Sequence, residues 1–281
     1  MKVSGFTICR NPLRLEYPLV EVIQSALPLV DEFIVNLGPS DDGTIELLQS
    51  LDSSKLRIVH SPWDESLRKK GLLFSKETNA ALEHCSGDWA LYLQADEVIH
   101  ENDYELILQG MREHHQNPRI LGFVFNYLHF YGDYWSTNPW GFHRAVRLIR
   151  NNGELMSCGD AVGFCLKADG GYLTSVHKDR VRHSGAQIFH YSYVKSGSAM
   201  QEKTRKLETL FHGDEMPPEM VSRLERDTYE FEDYAIMKEF RGSHPAVMLP
   251  RIAKTKRFGS RWNRWLNPMF YKAICQRGFR G

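Results

Sequence analysis

The stretch Gly87–Glu101, GDWALYLQADEVIHE, sets an apolar run, Trp89–Leu93, directly before Gln94, Ala95, Asp96 and Glu97. A buried strand that ends at once in carboxylates delivers acidic groups to the carboxyl edge of a sheet, the usual ligand crevice of an open α/β sheet. Groups so placed are positioned to bind a ligand. The plainer reading makes Asp96 a strand-end cap and lets Glu97 open the next helix. Further along, Arg144, Arg147 and Arg150 alternate with apolar residues, as phosphate contacts or as the solvated face of a strand. The aromatic loop Gly132–Phe142, with Tyr134, Trp135 and Trp140, suits either a flat acceptor platform or the closure of a core.

These groups need a scaffold, and the first hundred residues predict one. Val3–Ile8, Phe33–Leu37, Leu56–His60 and Trp89–Leu93 read as strands, with helices over about Tyr17–Leu29, around Ile45–Leu51, and over about Leu72–His84. Such alternation predicts a parallel or mostly parallel sheet with helices on both faces. No G-x-G-x-x-G follows the first strand, which argues against a dinucleotide-binding dehydrogenase. After a helix over about Asp103–His115 the plan becomes α+β, with strands Leu121–Tyr131 and Ala145–Ile149. Met200–Phe211 and Glu219–Phe240 are helical by period, broken at Asp214–Pro218. The division expected is a domain over residues 1–195 and a helical region over 196–281.

Charge is balanced overall but unevenly placed. Ten of the 35 basic residues and none of the 35 acidic ones lie in Arg241–Gly281, leaving the first 240 residues with 25 basic against 35 acidic. Five cysteines, Cys9, Cys85, Cys158, Cys165 and Cys275, show no C-x-x-C spacing, and their odd number argues for free thiols in a reducing compartment. The N-terminus lacks the pattern of a signal peptide, and no apolar run approaches the roughly 20 residues that span a bilayer. A cytoplasmic protein is expected. Its tail interleaves Phe258, Trp262, Trp265, Phe270 and Tyr271 with Lys and Arg, which suits an anionic membrane surface met through Arg251–Gly281 or a basic helix packed on the acidic body. Nucleic acid is not expected as a partner, since the acidic body would repel it.

The ordered set VSGFTICRN, EFIVNLGPSDDGT, KETNAAL and YLQADEV resembles the nucleotide-sugar-binding half of family 2 glycosyltransferases, over approximately residues 3–100. RAVRLIRN, a Gly-Asp, and IFHYSYVKS with a downstream Lys resemble a bacterial branch that glycosylates cell-envelope glycans or peptides. The resemblance implies a GT-A fold, Rossmann-like, with an α+β acceptor-side region and C-terminal helices. It also implies transfer from a nucleoside-diphosphate sugar to a glycan, lipid-linked or peptide acceptor, with inversion and with Mn²⁺ or Mg²⁺. The alternative is a non-catalytic nucleotide-sugar-binding module of the same fold.

Residue by residue, the resemblance implies nucleotide contacts at Asn11 in the first loop and at Asn36, where the family has an Asp. Gly38, Ser40, Asp42, Gly43 and Thr44 match its Gly-Ser-x-Asp-Gly-Thr turn with Pro39 and Asp41 interposed; Asp42 reads equally as a turn and cap residue. Asp64 matches an acidic base contact, and Lys76 and Asn79 match a basic-x-x-Asn element facing the nucleotide. The family's Asp-x-Asp binds a divalent cation and the ribose; here Gln94 stands for the first Asp and Asp96 remains. Metal binding then needs a second ligand, and the match is His190, with His143, His177 and His183 as competitors. The acceptor-side base matches Asp160, which also reads as a turn residue beside Gly159.

Overall fold

Four short runs rich in β-branched and aromatic residues become strands β1 (Val3–Cys9), β2 (Glu32–Leu37), β3 (Leu56–His60) and β4 (Trp89–Tyr92). They belong to a computed structural model that describes residues 1–67, 69–213, 215–231, 234, 236–257 and 275. β1 pairs in parallel with β2 and β4, and β2 with β3. Helices α1 (Leu19–Ala26), α2 (Thr44–Gln49) and α3 (Leu72–Glu83) connect them. β1 and β4 are buried at every position, as expected of strands covered on both faces.

The two faces carry separate cores. Val3, Cys9, Phe33, Val35 and Leu37 pack with Leu19, Val22, Ile23 and Ala26 of α1, residues spaced i, i+3, i+4, i+7 along one helix face. Phe6, Ile8 and Ile34 turn the other way and pack with Ala81 of α3. The strand period of two thus puts Asn36, two residues beyond Ile34, on the α3 face.

Beyond β4 come β5 (Glu97–Ile99), α4 (Tyr104–His114), β6 (Gly122–Tyr131), β7 (Asp133–Thr137), β8 (Arg144–Arg150), the hairpin β9 (Leu155–Cys158) and β10 (Gly163–Leu166), and the long β11 (Val181–Tyr193). α5 (Gly197–His212), α6 (Pro218–Leu224), the two-residue β12 (Lys238–Glu239) and α7 (Leu249–Ile252) complete the described elements. The sheet runs β12-β7-β6-β8-β4-β1-β2-β3. β8 lies antiparallel between β4 and β6, while β11 pairs in parallel with β6 and antiparallel with β5.

Several expectations are corrected. Glu97 opens β5 and not a helix. The helix expected over Glu219–Phe240 stops at Leu224, and Lys238–Glu239 is instead extended against β7. Cys158 and Cys165 form a disulfide, because the β9–β10 hairpin brings their Cα atoms to 6.3 Å, within bridging range; Cys9, Cys85 and Cys275 are free. Arg147 is neither a phosphate contact nor solvated but fully buried, and Arg150 donates to carbonyls at the end of α4 while lying 4.4 Å over the Trp89 ring. The tail aromatics Phe258, Trp262, Trp265, Phe270 and Tyr271 lie outside the described residues. Arg251, where the tail begins, binds Glu21 of α1 at 2.7 Å.

Candidate active site

β4 ends at Tyr92, and the chain turns through Gln94, Ala95 and Asp96 before β5 begins. β5 runs antiparallel to β11 with Glu97 opposite His190, and the Tyr191 N–H donates to the Asp96 carbonyl at 2.9 Å. That register sets Asp96 Oδ1 3.5 Å from His190 Nε2. On its other side β11 places His190 opposite His129 of β6, and the two Nδ1 atoms are 2.7 Å apart.

The hydrogen bonds fix which nitrogen faces the carboxylate. The Phe142 carbonyl can only accept, so His129 Nε2, 2.6 Å away, carries a proton. Burial, with His190 beside it, pushes the His129 imidazole down to about 4, so near neutral pH its Nδ1 is bare. His190 must then donate from Nδ1, so Nε2 is the nitrogen that faces Asp96. Nε2 and Oδ1, 3.5 Å apart, can share a proton or a metal ion between them. A proton on Nε2 makes an ion pair; a divalent ion in its place would take one oxygen and one imidazole ligand, with its further positions left for phosphate or water. Among the described residues no group of three or more His, Cys, Asp or Glu is arranged to hold a metal.

Burial would raise the Asp96 pKa, but His190, Lys203 and Lys195 outweigh it and hold the carboxyl well below the usual carboxylate range. Lys203 Nζ is 3.7 Å from Asp96 Oδ2. Next to Asp96, Glu97 is fully buried and takes two hydrogen bonds from Arg147 and one from Tyr127 Oη at 2.8 Å. Burial would lower the Arg147 pKa; Glu97 reverses this and holds it above its ordinary value.

Arg147 also donates to the Val162 carbonyl at 2.8 Å, in the β9–β10 turn that presents Asp160. That turn rests on Gly71 at the start of α3, where φ is +67° and a Cβ would come within 2.8 Å of Asp160 Cβ. The Gly71 N–H reaches the Leu210 carbonyl of α5, so three segments meet at Asp160.

A cavity of about 690 Å³ opens here, at the carboxyl ends of β1 and β4. Gln94, Asp96, His190, Lys203 and Asp160 line it together with Arg10, and α5 forms a wall that passes from Lys203 and Lys206 to Leu207, Leu210 and Phe211. A wall with both charged and apolar side chains suits a ligand with one anionic part and one flat or apolar part.

Residues 9–172, more than half of the chain, match Glycosyl transferase family 2. The chain belongs to this family. Its sheet is accordingly of GT-A type, an α/β arrangement with helices on both faces. No curated protein matches the family 2 chain. Among solved structures it is similar to S. aureus TarS (15% identity, 79% of this chain and 41% of that one, TM-score 0.40) and to TarS 1–349 in complex with UDP-GlcNAc (14%, 80% and 70%, TM-score 0.41). It is also similar to glucosyl-3-phosphoglycerate synthase from Mycobacterium tuberculosis in complex with Mn²⁺, UDP and glucosyl-3-phosphoglycerate (15%, 79% and 80%, TM-score 0.42). The family 2 chain thus spans less than half the length of the full TarS chain.

Of the residues expected to form the site, Gln94, Asp96, Asp160 and His190 share the cavity wall. The competing histidines do not: His177 binds Asp169 at 2.9 Å, and His143 and His183 are exposed. The other expected nucleotide contacts have partners within the protein. Both amide groups of Asn79 are taken by the Ser157 backbone, at 3.0 and 2.7 Å, clasping α3 to β9. Asn36 donates to the Glu77 carbonyl at 2.9 Å under α3, as its place on that face of β2 requires, and its buried Oδ1 has no hydrogen-bond partner among the described residues. Asn11, at φ 48°, accepts from the Asp41 N–H at 2.9 Å and ties the first loop to the second. Asp42 accepts from the Arg14 and Thr44 N–H groups at 2.9 and 3.3 Å, the turn and cap role. Asp64 and Lys76 pair at 3.6 Å, both exposed, next to the lining residues Trp63 and Glu65.

Of the Gly132–Phe142 rings, Phe142 lines the cavity, whereas Tyr134 is buried against Tyr191. Sequence analysis gave no role to Lys203, Lys195 or His129, although Lys195 lies within the motif IFHYSYVKS. The first had a signal: Met200, Lys203, Leu207 and Leu210 fall on one helical stripe, which sets a lysine on an inward face.

Proposed function

We propose that this chain transfers a sugar from a nucleoside-diphosphate sugar to a hydroxyl of a glycan, lipid-linked or peptide acceptor, with inversion at the anomeric carbon. The observation that carries the reading is the pairing of Asp96 with His190 Nε2 in the same cavity as Asp160. Asp96 and His190 would hold Mn²⁺ or Mg²⁺, with imidazole favouring Mn²⁺. A cation bound there supplies charge neutralisation to the departing diphosphate.

Asp160 is the proposed base. It would accept the proton of the acceptor hydroxyl as that oxygen bonds to the anomeric carbon, while the bond from that carbon to the phosphate oxygen breaks and its electron pair leaves with the diphosphate. Gln94 would contact a ribose hydroxyl through its amide. Of the other expected nucleotide contacts, Asp64 and Lys76 remain in the proposal as rim residues. Asn11, Asn36, Asp42 and Asn79 enter it as the clasps and caps that shape the donor loops.

No helix among the described residues is long and apolar enough to cross a membrane. Contact with an anionic membrane surface is proposed from Arg251–Gly281, of which residues 258–274 and 276–281 lie outside the described residues; a cytoplasmic setting is proposed with it, without the argument from free thiols, since Cys158 and Cys165 are bridged. A division of the chain at residue 195 enters with α5 as a shared wall of the cavity. The test is turnover of a panel of nucleotide sugars with Mn²⁺ or Mg²⁺ and an acceptor library, scored by release of nucleoside diphosphate. Neither binding nor turnover across the panel would overturn the reading; binding without turnover would leave a nucleotide-sugar-binding module.

A further inference from the structure

We infer that Lys203 is a diphosphate-binding residue, a protein-borne cation that meets the phosphate oxygens of the donor and of the leaving group. The inference rests on the cavity being the nucleotide-sugar site.

Lysines are almost never buried unless paired, yet the Lys203 side chain is only 8% exposed and sits on the cavity wall. Its ammonium has three N–H groups. Two are directed at Ser192, to the carbonyl oxygen at 3.2 Å and to the hydroxyl. Asp96 Oδ2, at 3.7 Å, attracts the charge but lies beyond hydrogen-bonding distance, so among the described residues one donor meets no oxygen or nitrogen acceptor, only the Tyr17 and Tyr193 rings at 5.5 and 5.4 Å.

The other cations at the cavity have partners of their own, two of them in solvent-exposed pairs. Arg10 is bound to Glu65, Lys206 to Glu202 at 2.7 Å, and Arg205 to the Leu224 and Arg226 carbonyls, both at 2.6 Å. Behind Lys203, the Lys195 ammonium lies 3.7 Å over the Tyr17 ring and donates to the Leu15 carbonyl. Two buried lysines therefore face one buried carboxylate, Asp96. A buried ammonium with a spare donor at the wall, whose charge burial disfavours and a neighbouring anion would favour, fits an anion that arrives with the ligand. A diphosphate anchored near Asp96 and His190 lies within reach of that donor.

The experiment is calorimetry of the full chain with the five common nucleoside diphosphates and their nucleosides, first in a chelator and then with Mn²⁺. In chelator the wild-type chain should still prefer the diphosphate over its nucleoside by roughly 10–100-fold, the scale of hydrogen bonds to charged groups. Lys203→Met should reduce this preference to near unity while nucleoside affinity stays at the wild-type value, and Lys203→Arg should keep part of it. A chelated wild-type chain without preference for the diphosphate overturns the inference, whether or not the variants fold. So does a Lys203→Met chain that keeps the full preference or loses nucleoside and diphosphate alike. A wild-type chain that binds none of the ten compounds, even with Mn²⁺, overturns instead the nucleotide-sugar reading beneath it.

Discussion

Arg147 meets Glu97 through two hydrogen bonds, Nε to Oε2 at 2.7 Å and Nη2 to Oε1 at 2.8 Å, with both side chains out of solvent. Because Arg147 Nη1 also holds the Val162 carbonyl, one guanidinium joins the turn of Asp96 to the turn of Asp160. Removing one partner leaves the other charged and buried, so Arg147→Met should lower stability by about 3–5 kcal/mol in urea unfolding. Adding Glu97→Gln should return part of that loss. A single variant within experimental error of the wild type would show that the pair is not a strut.

Asp160→Asn removes the proposed proton acceptor while keeping the shape of the turn. Transfer should fall by roughly 10²–10⁴-fold at saturating donor, with the affinity for nucleoside diphosphate unchanged. Unchanged turnover would assign the base elsewhere.

His129→Ala should leave His190 free to place its proton on either nitrogen. Loss of such an outer partner typically weakens metal affinity by about 10–100-fold, which a Mn²⁺ titration followed by electron paramagnetic resonance would read directly. Equal Mn²⁺ affinity in the variant and the wild type would mean that the Phe142–His129–His190 chain does not set the ligand.

Stability should fall with pH on the acid side. Burial pushes the His244 imidazole down to about 4, although its hydrogen bond to the Tyr134 carbonyl favours the charged form. Between the ordinary histidine value and about 4 the unfolded chain binds a proton that the folded chain refuses. The contribution is therefore complete at neutral pH and is lost as pH falls through this window. Glu32 extends the slope: burial would raise its pKa, but hydrogen bonds from Ser4 and Ser86 bring it down to about 2, so its share is lost between 4.5 and 2. Thermal melts from pH 7 to 4 should show Tm dropping, and His244→Gln should flatten the curve.

The parallel half of the fold was legible because its strands are short apolar runs at α/β spacing, and Asp96 because a strand end in acid is visible in one dimension. His190 was reachable through its motif. The limits were set by pairing. Whether Asn36 faces ligand or helix depends on the strand face that Ile34 already occupies, and Asn79 is consumed by a backbone 78 residues away. The Cys158–Cys165 bridge needed the hairpin, which no count of cysteines reveals. Beyond Leu224 the helical period continued in sequence while the chain did not, because later segments pack individually on β7 and α1.

β11 has one further consequence. Its register against β5 sets the neighbour of Asp96, and its register against β6 sets the neighbour of His129, through the same residue, His190. An added or deleted residue between Gln187 and His190 would break both relations at once and turn the imidazole to the opposite face. The irregularity between His183 and Gln187 is already a place where the pairing slips, so length changes there should be absorbed. Tolerance to insertion should thus change sharply within a few residues of a single strand.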